Sequence, residues 1–67
     1  MDLAKSLRVA MALKNVRPAD VAEALGIASP HVYAWLKTGA MTQKNMLRLA
    51  HYFGMTMSEF IKLGEDN

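Results

Sequence analysis

The chain has no cysteine, so neither a disulfide nor a thiolate zinc site is available to staple it. It has no apolar run near the roughly 18 residues needed to span a membrane. Its start, Met1-Asp2-Leu3, lacks the basic region and apolar core of a secretory signal, so the expected setting is a reducing cytoplasm. The two histidines, His31 and His51, have no cysteine or paired carboxylate at ligand spacing, so no metal site is expected. There is no Ser/His/Asp arrangement and no glycine-rich phosphate loop. Catalytic residues, cofactors and a small-molecule ligand are therefore not expected, and the chain does not read as an enzyme. No β-alternation, internal repeat or low-complexity segment is visible.

The 67 residues make a single domain, expected to span 1–67. A domain of that size buries only about 60% of the surface its unfolded chain exposes, so helix packing, helped by dimerisation, must supply its stability. Hydrophobic residues make up 52%, too many for a disordered chain. The net charge is only +2, but residues 1–58 hold seven Lys/Arg against three Asp/Glu, a net of +4, and the other acids fall in the last nine residues. A moderately basic body with an acidic tail permits polyanion binding.

Helical punctuation runs along the whole chain. Asp2 is placed to cap a first helix over about 3–14, with Leu3, Leu7, Ala10, Met11 and Lys14 at helical spacing. Pro18 suits the first turn of a second helix, where its missing N–H has no partner to lose. That helix ends near Leu25-Gly26, and Ser29-Pro30 opens a third. Thr42 caps a fourth, with Met46, Leu47, Ala50 and Phe53 assigned to one face. Gly54 stops it. Thr56 and Glu59 form a capping box for a short fifth helix, with Phe60, Ile61 and Leu63 apolar. Residues 64–67 read as a frayed tail. The six methionines are mostly expected to fill the core, with Met41 and Met55 available for a soft contact surface.

The middle of the chain is the most specific part. Val21, Ala22 and Leu25 make one apolar face, and Val32, Trp35 and Leu36 make the next. Ala22 is small where the two helices would cross, and Gly26 falls where the chain must turn through positive φ, which costs a residue with a Cβ about 1–2 kcal/mol. This is helix-turn-helix spacing, in which the second helix, about 29–37, can enter a DNA major groove. Advancing it by about 100° per residue points Pro30, Tyr33, Ala34 and Lys37 away from the core, with Ser29 and His31 at the edges.

Over residues 3–64 the chain resembles the lambda-repressor-like family of phage repressors, Cro proteins and bacterial xenobiotic-response-element regulators. Leu7-Arg8, Val21-Ala22 to Leu25-Gly26, Val32 and Trp35, Leu47-Leu49-Ala50, and Gly54 through Phe60 carry the resemblance. It implies a compact all-α, five-helix domain. Three departures stand out. Pro18 replaces the glutamine that opens helix two in the family and braces a phosphate. Met11 and Leu36 occupy the places of a common arginine–glutamate pair; a lone buried charge costs about 3–5 kcal/mol, whereas an apolar pair of similar volume is often neutral or better. Gly39 lies one residue later than the usual glycine.

The resemblance further implies double-stranded DNA as partner, with base edges read from Ser29, Pro30, His31, Tyr33 and Ala34. That set contains no Gln, Asn or Arg for bidentate base recognition, so base discrimination is expected to be modest and DNA shape to share the work. Phosphates would be held by Lys37, by Thr42, Gln43, Lys44 and Asn45 at the start of helix four, and by Arg17. The family's usual dimer surface falls here on Tyr52, Met55, Met57 and Phe60, implying a homodimer on DNA. The expected function is a Cro-like or minimal repressor on a (pseudo)palindromic operator. An antitoxin-type regulator, or a protein-interaction module using the motif as scaffold, are the alternatives.

Overall fold

Residues 2–65 are described by a computed structural model. Among them are five helices and no strand: α1 (Leu3–Lys14), α2 (Pro18–Leu25), α3 (Ser29–Thr38), α4 (Gln43–Tyr52) and α5 (Met57–Lys62). Most boundaries come from local hydrogen-bond chemistry. The Asp2 carboxylate accepts from the Lys5 N–H at 3.0 Å and starts α1. The Arg17 N–H donates to the Asp20 carboxylate at 2.9 Å where α2 begins. Thr42 Oγ1 accepts from the Asn45 N–H at the head of α4. Thr56 and Glu59 exchange both bonds of a capping box at 3.1 and 2.8 Å.

The turn of the helix-turn-helix is built on Gly26, at φ +69°. The Ile27 N–H reaches back to the Ala22 carbonyl at 3.0 Å, closing α2. A Cβ on Gly26 would touch nothing within 4 Å, so the demand for glycine there is conformational and not steric.

The core gathers Leu7, Ala10 and Met11 from α1, Val21, Ala22 and Leu25 from α2, and Val32 and Trp35 from α3. Met46, Leu49 and Ala50 from α4, with Phe53 and Phe60, complete it. α3 packs against both α1 and α2, and α5 closes the other side against α1 and α4. Ala22 is buried between neighbours, as a close helix crossing requires. Leu36, expected on the buried face of α3, is only half-buried and packs at the edge of the core.

Three further expectations are corrected. Leu47 is 57% exposed and Leu49 is fully buried in its place. Met46, Leu49, Ala50 and Phe53 span one arc at about 100° per residue, and Leu47 lies outside it. Phe60, expected on a dimer surface, is fully buried: the Thr56 cap sets α5 so that its ring stacks on Phe53, centroids 6.4 Å apart. Gly64, expected to begin a frayed tail, is buried against the start of α1. A Cβ there would collide with the Asp2 carbonyl oxygen. Beside it, the buried Ser6 hydroxyl donates to the Ile61 carbonyl at 3.3 Å, tying α1 to α5. Of the rest of that expected tail, Glu65 is exposed, and Asp66 and Asn67 lie outside the described residues.

Gly64→Ala should therefore lower stability by about 1–2 kcal/mol, because the Asp2 carbonyl and the Ser6 hydroxyl must shift to admit a methyl group. Urea denaturation measures it. A midpoint equal to that of the unsubstituted protein would show that this contact contributes nothing.

Candidate nucleic-acid interface

α3 presents the outward face that its spacing requires. Val32 and Trp35 are buried, while Pro30, His31, Tyr33, Ala34 and Lys37 are exposed and Ser29 is half-buried at the edge. Tyr33 is 59% exposed and carries the largest apolar surface on this helix face. Among the described residues the helix is held by its inner side, which leaves its outer side open to a groove. Its last turn is closed by Thr38, whose hydroxyl donates to the Ala34 carbonyl at 3.0 Å and accepts from the Ala40 N–H at 3.2 Å. Gly39 then turns the chain at φ +72°, where a Cβ would stand 2.9 Å from the Ala4 backbone nitrogen. Residues 39–42 link this helix to the head of α4.

At that head, Thr42, Gln43 and Lys44 are exposed and Asn45 is half-buried. The Thr42 hydroxyl oxygen is engaged in capping, so its free capacity is its own O–H. Arg17 is exposed in the turn before α2.

The helix ends differ in charge. Asp2 caps α1, Asp20 lies in the first turn of α2, and Glu59 lies in the first turn of α5. α3 and α4 have no acid in the first turn, and the cap of α3 is Ala28, which has no side-chain acceptor. A helix N-terminus carries about half a positive charge and attracts anions. Of the residues expected to meet phosphates, Thr42, Gln43, Lys44 and Asn45 lie at one of these two ends, the head of α4, whereas Lys37 lies in the last turn of α3 and Arg17 caps α2, whose first turn holds Asp20.

One residue of this region was not singled out from the sequence. Arg48, on α4, donates from Nη2 to the Leu25 carbonyl in the last turn of α2, and from Nη1 to Asn45 Oδ1 at 3.3 Å. Its only sequence signal was a basic residue one turn after Asn45, which fits a solvated face equally well.

Among the expected dimer residues, Tyr52 is 38% exposed, Met55 and Met57 are half-buried, and Phe60 is withdrawn into the core. Leu47, Arg48, His51, Met55, Thr56 and Met57 line an open groove of about 380 Å³ between α4 and α5. Among the described residues, no cluster of His, Cys, Asp or Glu could hold a metal ion, and no helix is long and apolar enough to cross a membrane.

Two short helices joined through a positive-φ glycine, the second exposing one side of its surface, define a helix-turn-helix DNA-binding domain. The model of the Cro/C1-type HTH DNA-binding domain matches residues 6–66, and the chain belongs to that family. No match is found among curated proteins or among solved structures.

Proposed function

We propose that this chain is a sequence-specific transcriptional regulator, of Cro or minimal-repressor type, that binds a (pseudo)palindromic operator as a homodimer. It acts by binding and not by chemistry, in the cytoplasmic compartment that holds the DNA. α3 lies in the major groove with Ser29, Pro30, His31, Tyr33 and Ala34 along the base edges. Lys37, Thr42, Gln43, Lys44, Asn45 and Arg17 hold phosphates on either side.

What supports this most is that the heads of α3 and α4, which bear Ser29, Pro30 and His31 and Thr42, Gln43, Lys44 and Asn45, are the two described helix starts without a carboxylate. The reading set holds one hydroxyl, one imidazole, one phenol and two apolar side chains. Good bidentate pairs, worth about 1–3 kcal/mol each, are therefore missing, and phosphate contacts dominate the affinity. The dimer forms through Tyr52, Met55 and Met57, joined by exposed Leu47, around the α4–α5 groove. That patch is small, so the pair is weak in free solution and completes itself on DNA.

The test is a footprint on operator fragments selected from random DNA, with affinity followed against salt. The expected footprint has two half-sites whose centres are about 34 Å apart, one helical turn. Lys44→Ala should weaken binding to operator and random duplex by the same factor and reduce the slope of log K against log salt by about one. A single asymmetric half-site with one chain bound rules out the dimeric operator. A changed sequence preference at an unchanged slope rules out the phosphate role of Lys44.

A further inference from the structure

We infer that Arg48 is a positioning residue for DNA binding, a role that rests on the DNA-binding function proposed above. Its guanidinium joins two elements that meet over a small contact: the end of α2, which leads into the recognition helix, and the head of α4.

The last four carbonyls of a helix have no partner within it. The Leu25 carbonyl is one of these, at the negative end of α2, and Arg48 supplies both a donor and a positive charge there. The bond links residues 23 apart in sequence, across the face between α2 and α4. The same guanidinium donates to Asn45 Oδ1. An asparagine amide offers an acceptor at Oδ1 and two donors at Nδ2. With Oδ1 taken by Arg48, Asn45 keeps its donor pair available, and only a donor can engage a phosphate oxygen. Arginine does both jobs because its fork of N–H groups is planar and rigid; a lysine ammonium is a single compact point on a flexible stem. Arg48 thus sets the α2–α4 angle and orients Asn45, so that base reading on α3 and phosphate binding on α4 share one frame.

The test is a double-mutant cycle of Arg48→Lys and Asn45→Ala. Affinity is read on a fluorescein-labelled 20-base-pair duplex of mixed sequence at low salt, with thermal melts alongside. Asn45→Ala should weaken binding about fivefold when Arg48 is present and less than twofold in the Arg48→Lys background, a coupling typical of residues in one hydrogen-bond network. Lysine keeps the charge, so loss of the coupling reports the bridge and not electrostatics. Equal effects of Asn45→Ala in both backgrounds overturn the proposal, whatever happens to the melting temperature. If Arg48→Lys does not fold, NMR relaxation of the Arg48 guanidinium in the unsubstituted protein without DNA decides. An ordered group supports the proposal, and a freely reorienting one overturns it. If the unsubstituted protein shows no salt-dependent binding to the duplex, the DNA-binding function fails and the role of Arg48 with it. Firm binding with additive variants removes the role of Arg48 alone.

Discussion

Phe60→Ala should leave the domain largely unfolded at 37 °C, even at concentrations where no dimer forms. The ring is fully buried, stacks on Phe53 with planes 9° apart, and lies beside a Tyr52–Phe53 edge contact with centroids 5.0 Å apart. Removing a buried phenylalanine costs about 3–5 kcal/mol, because the transfer energy is lost and the surroundings collapse only partly. A core of this size supplies about 3–5 kcal/mol in total. α5 has six residues and cannot hold itself without this anchor, so α1 and α4 lose the element that closes them. Circular dichroism melts over a range of protein concentrations provide the measurement. If Phe60 served a dimer surface instead, the monomer would melt normally and only association would weaken; that result would overturn the core assignment.

Leu36→Glu has the next largest expected effect, and Met11→Arg should partly reverse it. Met11 is 8% exposed on α1 and Leu36 is half-buried on α3, and these helices pack directly. A carboxylate at position 36 would lose part of its hydration with no cation to compensate it. Since Leu36 is at the edge of the core, the group can reach some water, and the loss should be about 1–3 kcal/mol and not complete unfolding. That corresponds to a fall in melting temperature of roughly 5–20 °C for a domain of this length. Met11→Arg alone should also destabilise, because it places a cation where a buried thioether sat. Together they recreate the family's arginine–glutamate pair, and the double variant should be more stable than the sum of the two losses allows, by about 1 kcal/mol or more. Strict additivity in urea denaturation would show that the two positions are not neighbours, and the assignment of the outward residues of α3 would have to be redrawn.

The helix boundaries could be read from the chain because their causes are local. Asp2 with Lys5, Thr42 with Asn45, and Thr56 with Glu59 are each three residues apart. Pro18 and Gly26 act through their own backbone. The same holds for the outward face of α3, which follows from Val32 and Trp35 pointing inward. The exposure of Leu47 also follows from the helical period: it lies next to Met46 in sequence but outside the arc that Leu49 completes.

The amino-acid sequence by itself determined the number and limits of the helices, the helix-turn-helix and the residues turned outward on it, since each depends on groups within about one helical turn. Only the tertiary structure decided that Phe60 is core and Gly64 a packed contact, that Ser6 bonds to Ile61, 55 residues away, and that Arg48 bonds to Leu25. The aim of a six-residue helix and the partner of a long, flexible side chain are set by how elements dock. Docking depends on the summed burial of the whole core, which no local periodicity records.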